Sequence, residues 1–322
     1  MKALVTGGTG FVGGHLIQAL LARGDAVTAL VRSPGKAASL GRRGVTLVAG
    51  DLHDPNALRQ ATRNQDVVYH VAGLIAARSE TEFLATNRDG AGAVLEAATI
   101  EGARRFLLVS SVAAAGPSSV DRPLTGTEPP RPVTEYGRSK LAGENVVRAG
   151  TLPWTIVRPP VVYGPGDRET FRLFRAVTLG AGPVFGRGAQ QLSVVYGPDL
   201  AEALIAAATS PATVGGTFYA AHPEIVTSRS LLEGIAAADG RRVRILPLPH
   251  ALGRLALALT ETVARVRNRA TVLNRDKAHE FFAAAWTVDP TPLTTATGWR
   301  AEFDLARGAR DTFAWYRAHG WL

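Results

Sequence analysis

The sequence predicts an α/β protein built on a doubly wound parallel sheet, and three observations carry that prediction. A short apolar strand at residues 3–5 runs directly into a glycine-rich turn, Thr6-Gly-Gly-Thr-Gly-Phe-Val-Gly13. A helical pattern follows through Leu16, Leu20 and Leu21 to a stop at Gly24. The same alternation of strand and helix then repeats along the first half of the chain, which is the signature of a parallel sheet with helices on both faces.

The elements follow in order. Strands are expected at 26–31, 45–48, 66–71 and 105–109, with helices beginning near Phe11, Pro55 and Leu84. A helix containing Tyr136 precedes a sixth strand at 154–157, and residues 192–196 read as a seventh. Beyond that the rhythm breaks. Residues 180–188 are glycine-rich and loop-like, while 243–246 and a helical stretch at 252–266 belong to something smaller. That stretch carries Leu252, Leu255, Leu259, Val263 and Val266 at helical spacing, flanked by Arg254 and Arg265. A lid or core helix is the ordinary reading, and a helix lying on a membrane surface is the alternative.

The turn has a chemical purpose in this context. Gly7 permits a tight bend, Gly10 lets the backbone approach a pyrophosphate, and Gly13 lets the helix pack against the sheet. The helix N-terminus then offers unpaired N–H groups and a positive dipole end to the phosphates. A second constellation is Tyr136-Gly-Arg-Ser-Lys140, whose phenol and ammonium lie one helical turn apart on the same face. Lowering a phenol from its usual ~10 to ~7 asks for about 4 kcal/mol, which Lys140 is expected to supply.

In these motifs the chain resembles the extended branch of the short-chain dehydrogenase/reductase superfamily. Further matches run nearly the full length: Gly50-Asp51-Leu52, His70-Val-Ala-Gly73, Val109-Ser-Ser111, Arg158-Pro159 through Tyr163-Gly-Pro165, Asp199-Leu-Ala201, Gly298-Trp299 and Trp315-Tyr316. The resemblance implies a Rossmann-type sheet with a smaller, discontinuous C-terminal substrate domain. Residues 1–162 with 189–216 would bind the dinucleotide, and 163–188 with 217–322 the substrate. It implies a catalytic Ser111, Tyr136 and Lys140, with Ser110 as a structural neighbour. Cofactor contacts are expected from Thr6, Gly7, Gly10, Phe11, Val12, Gly13, Arg32, Lys36, Asp51, Leu52, Ala72, Gly73, Tyr136, Lys140, Pro159, Val161 and Val162. Asn87 and His70 are expected to be structural. A homodimer is expected by the same resemblance.

Cofactor choice is legible at Val31-Arg32. Relatives that bind NAD place an acid at the Val31 position, where it would repel a 2′-phosphate. Here that acid is absent, and Arg32, with Ser33 and Lys36 nearby, offers donors to the phosphate. NADP(H) is therefore expected, with NAD(H) possible. Substrate choice rests on Val161 and Leu192, which stand where the sugar-nucleotide enzymes of this branch carry an asparagine and an arginine. Without those anchors an apolar ketone or secondary alcohol is expected, steroid, terpenoid or hydroxyflavanone-like, bound by Ser111, Val161 and Leu192. Arg168 or Arg187 would restore a phosphate clamp and so an epimerase or dehydratase. A non-catalytic NADP(H)-binding protein of assembly or sensing is the third reading.

Composition narrows the field. The chain has 322 residues, 46% of them hydrophobic, enough for a substantial core. It has no cysteine, which excludes disulfide and thiol chemistry and fits a reducing compartment. A strand beginning at Lys2 and the lack of any apolar run near ~20 residues predict a cytoplasmic protein with no spanning segment. The net charge of +9 comes from scattered arginines rather than a basic stripe, so nucleic acid is not an expected partner. The seven histidines show no metal-ligand spacing, and no metal is expected.

Overall fold

The computed structural model describes all of Met1–Leu322. Its strands, in chain order, are β1 (Lys2–Thr6), β2 (Ala26–Val31), β3 (Thr46–Ala49), β4 (Val67–His70), β5 (Arg105–Val109), β6 (Trp154–Arg158), β7 (Val161–Tyr163), β8 (Ala181–Phe185), β9 (Gln191–Tyr196), β10 (Gly216–Tyr219), β11 (Ile225–Thr227), β12 (Arg244–Leu248) and β13 (Ala285–Trp286). Seven of them form one sheet in the order β10-β6-β5-β4-β1-β2-β3, with every neighbouring pair parallel. The strand order reverses between β1 and β4, where sheets of this kind open a crevice at their carboxyl ends.

Both faces of the sheet are covered, which is why its central strands are apolar on both sides. Leu16, Ile17 and Leu20 of the helix Phe11–Ala22 pack with Leu200, Ala203 and Leu204 of the helix Gly197–Thr209 on one face. Leu58, Val94, Leu95 and Val147 from three other helices cover the opposite face. Capping residues set where several helices begin. Asp54 accepts from the N–H groups of Asn56 and Ala57 at the start of Pro55–Thr62. Thr134 accepts from Gly137 N at the start of Glu135–Arg148.

Two sequence expectations are corrected. Residues 192–196 do form a strand, yet β9 does not join the main sheet; it pairs with β7, β11 and β13 in a four-stranded sheet of its own. The seventh place in the main sheet goes to β10, parallel to β6. The stretch 180–188 is not simply a loop, because β8 pairs in parallel with β12 over five residue positions from Ala181↔Arg244 to Phe185↔Leu248. These pairings cross the expected boundaries: β10 runs to Tyr219, beyond residue 216, and β7 spans residue 162.

The helix His250–Val266 departs from a core reading. Only Gly253 and Leu257 are buried on it. Leu252, Leu255, Leu259, Val263 and Val266 all face outward. No helix is long and apolar enough to cross a membrane.

Candidate active site

A cleft of about 1410 Å³ opens along the carboxyl edge of the main sheet. It is lined by residues that directly follow successive strands: Gly7 and Thr9 to Gly14 after β1, Arg32 after β2, Gly50 and Asp51 after β3, Val71 to Gly73 after β4, Ser110 and Ser111 after β5, and Pro159 and Pro160 after β6. Pro165 to Glu169, Asp311, Trp315 and Trp321 close the side contributed by the smaller part.

The glycine turn fits a dinucleotide on steric grounds. Gly7 has φ +72°, and a Cβ there would lie 2.7 Å from Ala72 N. A Cβ on Gly13 would lie 2.3 Å from Gly7 O, so only glycine lets the helix start this close to the turn. Gly10 caps that helix without any side-chain hydrogen bond, and no acid sits in the first turn. The free N–H groups of a twelve-residue helix therefore meet the cleft with their dipole unopposed, as an anionic pyrophosphate requires. Thr6 lines the cleft, but its hydroxyl is engaged by His70 Nδ1 at 2.9 Å and by Ala72 N at 3.2 Å.

Ser111, Tyr136 and Lys140 all line this cleft. Ser111 caps the short helix Val112–Ala115, accepting from Ala113 N at 3.1 Å, which orients its hydroxyl. Tyr136 sits in the first turn of Glu135–Arg148, and the next residue explains how that helix comes so close. A Cβ on Gly137 would fall 2.4 Å from Ala113 O, so glycine there lets the tyrosine helix press onto the Ser111 turn. Gly143 does the same one face along, where a Cβ would fall 2.2 Å from Asn87 O. Lys140 is buried beside Gly73 and donates from Nζ to Val109 O at 2.8 Å.

The expected lowering of the Tyr136 phenol is not what this arrangement produces. Burial pushes it up to about 12, the Ser111 hydroxyl pulls it partly back, and Glu280 adds to the rise. Lys140 is held down to about 8 by burial, against the pull of Glu144. Tyr136 is thus a protonated acid throughout the neutral range, and Lys140 loses its charge just above it. Lys277 places its Nζ 5.2 Å from the centre of the Tyr136 ring and pairs with Glu280, which also accepts from Thr134 Oγ1 at 2.8 Å. Sequence reasoning missed this overlay, because nothing local in 271–283 signals it.

Behind the site lies a buried ion pair. Glu144 accepts from Arg158 Nε at 2.8 Å and Nη2 at 2.6 Å, from Arg148 Nη2 at 2.7 Å and from Ser110 Oγ. Ser110 is accordingly structural. Asn87 is too: it holds Leu74 N and O at 2.8 and 3.0 Å and Ser139 Oγ at 2.9 Å. His70 is fully enclosed, and burial drives its pKa down to about 3, leaving it neutral.

Phe11, Val12, Asp51, Leu52, Ala72, Gly73, Pro159, Val162 and Arg32 line the cleft as expected. Lys36, Val161 and Leu192 do not. Lys36 lies on an exposed turn, and Arg43 takes a place in the cleft wall instead. Val161 pairs with Val194, and Leu192 with Trp286, inside the small sheet. Of the two loop arginines, Arg168 lines the cleft and stands 5.6 Å over the Trp321 ring, and Arg187 does not line it.

The model of the NAD dependent epimerase/dehydratase family matches residues 3–221. The chain belongs to that family. A ceramide reductase of Caulobacter vibrioides is 36% identical over 319 residues, covering 99% of this chain and 95% of that protein. The 4-hydroxy-2-methyl-3-oxo-4-farnesyl-3,4-dihydroquinoline-1-oxide ketoreductase of Stigmatella aurantiaca is 29% identical, covering 82% and 81%. Among solved structures, the UDP-glucose 4-epimerase of Thermus thermophilus in complex with NAD has a TM-score of 0.78 at 25% identity, covering 98% and 99%. The chain is an NAD(P)-dependent oxidoreductase of the extended short-chain dehydrogenase/reductase type.

Proposed function

We propose that the protein reduces a ketone to a secondary alcohol on an apolar, long-chain substrate of the ceramide type, using NADPH. The observation that carries this reading is the convergence of Ser111, Tyr136 and Lys140 on the cleft that the glycine turn also lines. A bound nicotinamide cofactor supplies the hydride. The chain's own residues do the rest. Ser111 hydrogen-bonds to the substrate carbonyl oxygen and fixes it. Tyr136 donates its phenolic proton to that oxygen as charge develops there, and the phenolate recovers a proton from solvent. Lys140, while cationic, stabilises that phenolate and offers donors to the nicotinamide ribose.

NADPH is favoured over NADH because Arg32 follows β2 into the cleft wall with no acid at Val31. Arg43 adds a second cation to that wall. A long acyl chain stands ahead of the steroid, terpenoid and hydroxyflavanone-like rings, because the relative with near full-length coverage is a ceramide reductase. Val161 and Leu192 lie outside the cleft wall and carry no weight for the choice of substrate. The competing reading is a nucleotide-sugar epimerase, which Arg168 in the cleft wall favours.

The deciding assay offers NADPH with a 3-oxo long-chain ceramide and, separately, the oxidised or reduced cofactor with UDP-glucose. NADPH consumption with the ketone alone is the expected result. Epimerised UDP-glucose without net cofactor turnover, together with no reaction on the ketone, would replace this reading with the epimerase.

A further inference from the structure

The helix His250–Val266 carries an apolar face that the rest of the chain does not cover. Leu252, Leu255, Leu259, Val263 and Val266 recur at steps of three or four residues and so lie along one side of it. They are 56%, 56%, 59%, 49% and 83% exposed, which is far from the burial such a stripe has in a core helix. The opposite side is anchored. Gly253 abuts the Phe185 ring so closely that a Cβ would lie 2.5 Å from it, and His250 stacks on Phe282 at 4.6 Å. The helix is therefore fixed in place with its leucines turned outward.

The charge around it is one-sided. Residues 241–270 contain a single acid, Glu261, which is satisfied by Arg265 at 2.8 Å. Arg242 and Arg244 before the helix and Arg267 and Arg269 after Val266 are all exposed, and none makes an ion pair, whereas Arg254 lies over the Phe282 ring on the anchored side. An apolar stripe with unpaired arginines at both ends of its helix matches an anionic lipid surface, where leucines enter the acyl boundary and guanidinium groups meet phosphates. A second copy of this chain would bring like charges together on a protein of net charge +9.

From these observations we infer that the helix His250–Val266 docks the protein on an anionic phospholipid bilayer. The segment that follows it runs to Asp276 and Glu280, which bond Glu135 N and Thr134 Oγ1 beside the catalytic tyrosine. Docking would thus hold the active site next to the phase in which a long-chain substrate dissolves.

The test uses the full chain with bound NADP and sedimentation with vesicles of phosphatidylcholine alone or mixed with phosphatidylglycerol. The wild type should sediment at least about tenfold more with the anionic vesicles, and raised salt should weaken that binding. A Leu255→Ser/Leu259→Ser variant should lose it by a similar factor while reducing a short water-soluble ketone at the wild-type rate. An Arg267→Gln/Arg269→Gln variant should lose the preference for anionic lipid. Equal sedimentation of wild type and leucine variant would overturn the inference, as would a wild-type dimer that the leucine variant dissociates without any vesicle binding. Vesicle binding is read without turnover, so this inference and the proposed reaction stand or fall separately.

Discussion

The turn at residues 6–13 lines the cleft and the helix His250–Val266 does not, and the two are determined in opposite ways. In the turn, backbone atoms of the chain itself press against Gly7 and Gly13, leaving no room for a side chain. On the helix, five large apolar side chains are left about half exposed or more. The cofactor turn is thus set by internal steric contacts, whereas the helix presents a surface that the chain itself leaves exposed. Changes on the cofactor side should therefore affect every substrate alike, and changes on the substrate side should separate one substrate from another.

The largest effect should come from the group both sides share. Tyr136→Phe keeps the ring and removes the acid, so kcat should fall by about 10²–10⁴ on every ketone, while fluorescence titration shows unchanged NADPH binding. Gly13→Ala should come next. Its Cβ meets Gly7 O, and relieving that clash costs about 1–3 kcal/mol, read as a ten- to hundredfold weaker NADPH Kd by calorimetry. The loss should be the same whichever ketone is then assayed.

The pH dependence follows from Lys140. Its folded pKa, about 8, lies below the unfolded value, so the cation is present below pH 8 and lost above it. Ketone reduction that needs the cation should fall about tenfold per pH unit above that point, with Tyr136 still protonated. Stability moves the other way: the unfolded chain binds the extra proton between about pH 8 and 10.4, so the cost of burying Lys140 fades as pH rises through that window. Lys140→Met should raise the Tm at pH 7 while impairing turnover.

Arg32→Ala should raise the KM for NADPH about tenfold and leave NADH within twofold, in keeping with a single lost charged hydrogen bond. The smallest effect sharpens the contrast most. Arg168→Ala should change kcat/KM for a long-chain ketone by less than about threefold, since it meets no charge there. A larger loss on that ketone would place the arginine in substrate binding and weaken the distinction between the two sides.

The same contrast explains what the sequence disclosed. The glycine turn and the Tyr136–Lys140 pair were legible in residue type and spacing, while Ser111 was marked only by the family resemblance; all of them line the cleft. Gly137 was in plain view but unread, since its role depends on Ala113 O, distant along the chain. The apolar run 192–196 announced a strand but not its sheet, because pairing with β7, β11 and β13 is decided by long-range contacts. The glycines and proline of 180–188 suggested a loop, and only the partner β12 makes a strand of Ala181–Phe185. Periodicity revealed the stripe on His250–Val266 without revealing that it faces outward. The raised pKa of Tyr136 was hidden for a similar reason, since burial, with Glu280 from far along the chain, outweighs the lowering by the Ser111 hydroxyl.

The central claim is a net reduction that leaves the cofactor oxidised, and isotope labelling tests it most directly. NADPH carrying deuterium on the transferable C4 position is incubated with the long-chain 3-oxo substrate and the products are examined by mass spectrometry. One deuterium should appear on the new carbinol carbon, with one NADP formed per alcohol. An unlabelled product, or label that never leaves the cofactor while a bound sugar is epimerised, would contradict the claim.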